Sequence, residues 1–310
     1  MERIFHYTIT SNDNGKPIDL FLRSMGYSSQ NIIALKKMPE SILVNMKWEY
    51  VNYPLKTHDI LTIHIKETES SKNIIPVPLA LPVVYEDEDI LVVNKPAHMP
   101  IHPSQNNYDN TLANAVMAYY HSQNIPYTFR CVNRLDRDTT GLTILAKHMY
   151  SSNLLSTMVQ NREIKREYLA IVSGIPAKSY GMIDAPISRV DGSTIERCID
   201  FTKGERAVTH YHLEKTIYLP AVEKSTDNNC DTLSLLSLWL ETGRTHQIRV
   251  HMKYMNTPLI GDFLYHPDFK YIKRQALHSY RLTFPHPITK ELMTFTAPLP
   301  EDMACLFPIT

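Results

Sequence analysis

Asn133-Arg134-Leu135-Asp136-Arg137-Asp138-Thr139-Thr140-Gly141-Leu142-Thr143-Ile144-Leu145-Ala146-Lys147 is the stretch that decides how this chain folds. Its first half sets two arginines and two aspartates around one leucine. After Gly141 it becomes apolar and β-branched, with the alternation of a strand. Charged side chains on the loop that enters a strand can be presented by a rigid scaffold. On charge alone the loop is equally a solvated turn with local ion pairs.

Further blocks lie on either side. Upstream are Tyr85-Glu86-Asp87-Glu88-Asp89-Ile90-Leu91-Val92-Val93-Asn94-Lys95-Pro96 and Ile101-His102-Pro103-Ser104. Downstream are Lys165-Arg166-Glu167-Tyr168-Leu169-Ala170-Ile171-Val172-Ser173-Gly174 and Glu241-Thr242-Gly243-Arg244-Thr245-His246-Gln247-Ile248-Arg249-Val250-His251-Met252. Pro258-Leu259-Ile260-Gly261-Asp262 and Leu277-His278-Ser279-Tyr280-Arg281-Leu282 follow. In content and order, across about residues 82–300, these blocks resemble the RluA-type pseudouridine synthases, in particular their RluC and RluD architecture. The resemblance implies an isomerase that acts on structured RNA, either 23S-type ribosomal RNA or transfer RNA. Two departures stand out. The family usually has histidine where this chain has Asn133, and commonly has a glycine within the stretch occupied by Ala97-His98-Met99-Pro100.

The 310 residues suffice for one substantial domain and a smaller one, and 43% hydrophobic with 21% charged residues is ordinary globular composition. No apolar run approaches the roughly 20 residues that span a bilayer, so no membrane association is expected. Met1-Glu2-Arg3-Ile4-Phe5-His6 lacks the basic-then-apolar layout of a signal peptide. The expectation is a cytoplasmic monomer. Cys131, Cys198, Cys230 and Cys305 form no C-x-x-C pair, and Cys131 is expected as a small buried filler. His210 and His212 would share a strand face but lack a third ligand, so no metal is expected. With 9 glycines and no glycine-rich phosphate loop, no cofactor is expected either. The 32 basic residues are balanced by 32 acidic ones. RNA affinity leans on phosphate contacts, so this balance points to a local basic cleft and modest, salt-sensitive binding.

Residues 1–68 stand apart as a small α+β unit, with helices expected over Ile18 to Met25 and Asn31 to Met38. Gly26 would end the first helix and Ser28-Ser29 would cap the second. Strands are expected at Ser41 to Asn45 and Asp59 to Ile65. The unit resembles a degenerate S-four RNA-binding module, the alternative being a structural cap. Residues 69–82, rich in Ser and Pro, form the linker. Residues 83–310 mix strands and helices without a β-α-β rhythm, which predicts an α+β fold with a largely antiparallel mixed sheet. Ser151-Ser152 would cap a helix running through Val159. Leu233 to Leu240 is expected as a strand buried on both faces, and Glu223 to Asp231 as an exposed hairpin loop.

Conversion of uridine to pseudouridine neither oxidises nor carries a group. It needs a carboxylate in a dry pocket, a partner that keeps it ionised, and a surface that retains the detached base. The resemblance makes Asp136 the nucleophile, Arg249 its partner, and Tyr168 the ring that stacks on uracil and joins proton transfer at carbon 5. Thr245 as N-cap with Ile248, Met252 and Met255 on one face would set Arg249 in the first turns of a helix. A cation there opposes the helix dipole; the alternative is an arginine snorkelling on the flank. Tyr168 could equally be a core aromatic. Arg134 resembles the residue that fills the gap left by an extruded base. Leu135, Arg137, Arg244, His246, Gln247 and His102 complete the expected RNA-facing set. An idle RNA-binding scaffold and a hydrolase releasing free uracil are the rival functions.

Overall fold

The computed structural model describes residues 1–219 and 231–307. In chain order the first unit contains β1 (Glu2–Thr8), α1 (Ile18–Ser24), α2 (Ser29–Lys37), β2 (Ile42–Val44), β3 (Lys47–Trp48) and β4 (Ile60–Lys66). The strands form one sheet in the order β1-β4-β2-β3. Gly26, at φ +89°, turns the chain out of α1. Ser28 closes α2 with a reciprocal box: its hydroxyl accepts from the Asn31 backbone at 3.1 Å, and the Asn31 amide oxygen accepts from Ser28 N–H at 3.2 Å. Phe5, Ile18, Phe21, Leu22, Ile32, Leu35 and Ile63 fill the core between helices and sheet. The sequence did not foretell β1 or β3. In β1 only Phe5 is fully buried, so the strand carries little apolar alternation, and β3 has two residues.

The remaining elements are β5 (Val83–Glu86), β6 (Ile90–Lys95), α3 (Leu112–His121), β7 (Thr140–Ala146), α4 (Met149–Gln160), β8 (Lys165–Ser173) and β9 (Tyr180–Asp184). Then come β10 (Ile187–Arg189), β11 (Arg197–Ile199), β12 (Val208–Leu219), β13 (Asp231–Leu240), α5 (Gln247–Tyr254), β14 (Leu277–Pro285), β15 (Leu292–Thr296) and α6 (Glu301–Ala304). Nine strands make one mixed sheet in the order β5-β6-β7-β14-β8-β13-β12-β9, with β15 on β14. Among the described residues β7 and β14 pair in parallel and the other neighbours antiparallel. The fold is the expected α+β class with a largely antiparallel mixed sheet. Gly141 makes the parallel join possible: at φ +108°, a Cβ there would lie 2.3 Å from the Ser279 carbonyl oxygen.

Apolar residues of β6, β7 and β14 (Ile90, Val92, Ile144, Leu282) pack on Leu155 and Met158 of α4. Those of β8 and β13 (Tyr168, Ala170, Leu236, Leu238) pack on Ile248 and Met252 of α5. The alternate residues Leu169, Ile171, Leu233 and Leu235 meet Met303 and Phe307. β7 is therefore buried along its whole length. In β13 the burial on both faces holds from Leu233 to Leu238 and ends at the exposed Trp239. Residues 223–230 of the expected hairpin loop lie outside the described residues, and Asp231 opens β13. Helix α4 starts at Met149 and not behind a serine cap. His148 is the N-cap, its ring nitrogen accepting from Ser151 N–H at 3.2 Å, because its imidazole is pinned by Asp89 at 2.8 Å. Cys131 is half-buried, with its thiol 3.4 Å from both the Asn133 carbonyl and the Thr143 hydroxyl.

The first unit is seated on the second by buried polar contacts. Arg3 of β1 donates to both Asp89 oxygens, at 2.9 and 3.2 Å. Glu67 accepts from Met149 N–H and from Arg130, both at 2.8 Å. The Tyr27 and Tyr150 rings stack at 3.8 Å. The segment between the units is pinned too, with Ile74, Leu79 and Leu81 packed beside α3.

Candidate active site

The loop Asn133–Asp138 enters β7 from the side of β8 and α5. Asn133 fixes its first residue. The buried amide accepts from Ile144 N–H at 2.8 Å and donates to the Leu142 carbonyl at 3.2 Å, filling the place of a strand neighbour. Leu135 is buried in the same cluster as Tyr168, Leu238 and Ile248. That anchor leaves Asp136 half-buried and turned toward α5.

Helix α5 begins in an unexpected way. Its N-cap is His246 and not Thr245; His246 adopts φ +57° and makes no side-chain cap. This left-handed step turns the chain so that Arg249 lies in the first turn, facing inward at 2% exposure. Arg249 Nη1 donates to Asp136 Oδ2 at 3.0 Å. Its Nε and Nη2 donate to the two oxygens of Asp262 at 2.7 and 2.8 Å. Asp262 is held in turn by Leu264 N–H at 3.0 Å and Tyr265 N–H at 3.2 Å. Burial alone would lower the Arg249 pKa, but the hydrogen bonds and charges of Asp262 and Asp136 outweigh it and drive the net shift upward. The guanidinium stays charged, and the faces of Tyr265 and Phe263 lie 5.0 and 5.4 Å from it.

Tyr168 comes up from mid-strand β8, fully buried. Burial pushes its pKa up; the Arg166 charge opposes this and the Asp136 charge adds to it, so all three groups share one field. His246 Nε2 lies 3.9 Å from Asp136 Oδ2, and its Nδ1 meets the Tyr265 hydroxyl at 2.9 Å. Burial lowers the His246 pKa. The structure thus brings Asp136, Arg249, Tyr168 and His246 together.

The remaining expected residues divide. Arg134 is exposed and has no hydrogen-bond or ion-pair partner among the described residues. His102 is exposed nearby, edge-on to Phe129 at 5.1 Å, its pKa lowered by burial and by the Arg134 charge. Arg137 is tied to Asp138 at 2.9 Å, and Arg244 to Glu205. Gln247 does not face the entrance. It is buried, donating to the Val208 carbonyl and Thr209 hydroxyl and accepting from Thr242 and Arg244 N–H, so its amide has no group left for RNA. Leu135 likewise faces the core rather than a ligand. His98, in the stretch Ala97–Pro100 that departs from the expected pattern, adopts φ +60° and holds Asp138 at 2.8 Å.

Two functional supports went unassigned in the sequence. Asp262 stands in a quoted block, but nothing in its spacing couples it to Arg249. Lys95 is fully buried, and its ammonium donates to the carbonyls of Pro96, Met99 and Arg137 at 2.8–2.9 Å, tying the Pro96–Met99 loop to the charged loop. Burial lowers its pKa to about 7, against the raising effect of Asp138 and Asp136. Asp87, Asp89 and His286 lie close enough to suggest metal ligands. However, Asp89 is occupied by Arg3 and His148. His286 Nδ1 accepts two backbone N–H groups, which leaves the proton on Nε2, so the donor set does not fit an ion.

Comparison with known proteins follows the same lines. Residues 89–254 match the family described as RNA pseudouridylate synthase. The chain is 39% identical over 282 residues to the uncharacterized RNA pseudouridine synthase YjbO of Bacillus subtilis (strain 168), covering 91% of this chain and 95% of that protein. It is 37% identical over 284 residues to the ribosomal large subunit pseudouridine synthase D of Pasteurella multocida (strain Pm70), covering 86% and 83%. Among solved structures, human RNA pseudouridylate synthase domain containing 1 superposes with a TM-score of 0.57 at 25% identity, over 71% of this chain and 83% of that one. With the match spanning the charged loop, the tyrosine strand and the arginine helix, this chain belongs to the RluA-type RNA pseudouridine synthases and is an isomerase.

Proposed function

We propose that the enzyme isomerises uridine in ribosomal RNA, with Asp136 as the catalytic carboxylate and Tyr168 and Arg249 beside it. The observation that carries this is the 3.0 Å contact between Asp136 and a guanidinium that Asp262 locks in place. A half-buried carboxylate so held is oriented as a nucleophile. Attack assists cleavage of the bond between N1 of uracil and C1′ of ribose. The base rotates, C5 bonds to C1′, the proton leaves C5, and N1 gains one. Atoms balance without a cofactor. In this reading the flat ring of Tyr168 retains the detached base by stacking, and its hydroxyl takes part in the proton transfer at C5. Arg134, exposed and unpaired, is suited to fill the gap left by the extruded nucleotide and to bind phosphate at once.

Ribosomal RNA as the target is supported by relatives such as the ribosomal large subunit pseudouridine synthase D of Pasteurella multocida. The test is to map pseudouridines in ribosomal and transfer RNA from a strain lacking the gene and from its complemented parent. A site lost from ribosomal RNA and restored by wild type supports the assignment; a site lost only from transfer RNA refutes it.

A further inference from the structure

The arginines that are buried or half-buried are almost all spoken for. Arg3 holds Asp89, Arg130 holds Glu67, Arg249 holds Asp262 and Arg274 holds Asp302, while Arg197 donates to the Ile195 and Glu196 carbonyls. Arg166 is the exception. It is half-buried, yet its side chain makes no hydrogen bond or ion pair with any described residue, and its Nε is buried without a partner. Leaving a guanidinium donor unsatisfied costs on the order of 1–3 kcal/mol or more, so such a group marks a place where a ligand completes the structure.

Its position says which ligand. Arg166 precedes Tyr168 by two residues on β8, so both side chains leave the same face, about 7 Å apart along the strand. On that face Tyr168 packs in one cluster with Leu135 of the charged loop and Ile248 and Met252 of α5. The guanidinium lies against Gly243, in the loop leading to α5, where a Cβ would come within 3.2 Å of Nη1. Its charge is felt at the Tyr168 hydroxyl together with that of Asp136. A cation on the strand face of Tyr168, with donors unspent, suits an anion brought in by the substrate. RNA supplies one with every nucleotide, and guanidinium binds phosphate oxygens through paired N–H donors.

We propose that Arg166 is a phosphodiester-binding residue of the catalytic cleft, taking a backbone phosphate next to the uridine that enters against Tyr168. The location of the cleft rests on the function proposed above; the anion site itself rests on Arg166 and Gly243. Arg134 and Arg166 then have different tasks, one at the rim and exposed, the other inside the cleft.

The test has two arms. The first measures binding of fluorescein-labelled oligouridylate to Asp136→Asn protein, with and without Arg166→Gln, over a salt series. One lost phosphate contact lowers the slope of log affinity against log salt by about 0.7. That decrease is expected for Arg166→Gln, and Arg166→Lys is expected to keep most of the slope. The second arm measures tritium release from ribosomal RNA labelled at uridine C5. With Asp136 intact, Arg166→Gln is expected to raise KM about tenfold with a smaller effect on kcat. Gly243→Ala, which crowds the guanidinium without removing it, is expected to shift KM in the same direction. Thermal melting of each variant separates these effects from loss of fold. An unchanged slope together with an unchanged KM in folded Arg166→Gln protein overturns the proposal. Absence of tritium release by wild type would instead count against the proposed reaction, while the binding arm still judges Arg166.

Discussion

Asp262 grips Arg249 at two points, 2.7 and 2.8 Å, while Arg249 reaches Asp136 at one, 3.0 Å. One guanidinium thus serves two carboxylates unequally. Asp262 fixes its plane, and Asp136 receives a single directed N–H. Asp136 keeps its remaining lone pairs for the substrate of the proposed reaction.

Asp262→Asn should therefore be nearly as damaging to turnover as loss of Arg249 itself. The amide preserves shape but cannot accept two charged donors, so Arg249 is free to tilt toward Asp136. We expect kcat to fall at least tenfold. Asp262→Ala should cost about 3–5 kcal/mol of stability, because it strands a buried charge. Steady-state kinetics and urea unfolding check both; normal values for both would mean that Asp262 merely neighbours the site.

Asn133 provides a second test, because its amide is what fastens the charged loop to β7. Asn133→Ala leaves Ile144 N–H unpaired inside the sheet, at a cost of about 1–3 kcal/mol, while the Leu142 carbonyl keeps the Ser279 hydroxyl at 3.0 Å. Asn133→His, the residue usual in the family, should lose less. Chemical denaturation of the two variants gives the ranking, and equal stabilities would contradict the role assigned to the amide.

Acid should weaken the fold through His278. Burial lowers its pKa to about 4 from an ordinary 6.5. Its Nδ1 meets the Thr140 hydroxyl at 2.8 Å and its Nε2 the Ala297 carbonyl at 3.2 Å. Because the folded value is the lower one, the unfolded chain takes up the proton first. Stability is full above about pH 6.5 and declines as pH falls toward 4, by on the order of 3 kcal/mol from this group. His278→Gln should flatten that part of the pH–stability curve. A decline of the same size in the variant would assign it elsewhere.

The docking of the first unit hangs on Arg3. Its two bonds to the buried Asp89 are charge-assisted and worth about 1.5–3 kcal/mol each. In Arg3→Ala, amide exchange in β1 should accelerate by at least tenfold while β7 and β8 keep their protection. Uniform exchange across both units would mean that they unfold as one.

Much of this was legible in the sequence because it is local. The Ser28 cap, the helix of Arg249 and the strand after Gly141 follow from spacing and residue chemistry within a few positions. The pairing of Asp136 with Arg249 across 113 residues came from family resemblance and not from pattern. The rest depends on closure in three dimensions. Asp262 and Lys95 look like ordinary loop and strand-end charges until the chain folds around them. His246 was expected at the entrance, but its left-handed backbone turns it toward Asp136. Gln247 was expected to meet RNA, but its neighbours on β12 and in the preceding loop consume its amide. Side-chain partners such as these have no period, so no local pattern announces them.

The central claim is that Asp136 carries out the isomerisation. Tritium release from ribosomal RNA labelled at uridine C5 tests it most directly, with wild type and Asp136→Asn compared at equal RNA occupancy. Release by wild type and none above background from the variant is the predicted result. Release by Asp136→Asn at a rate near that of wild type would contradict it.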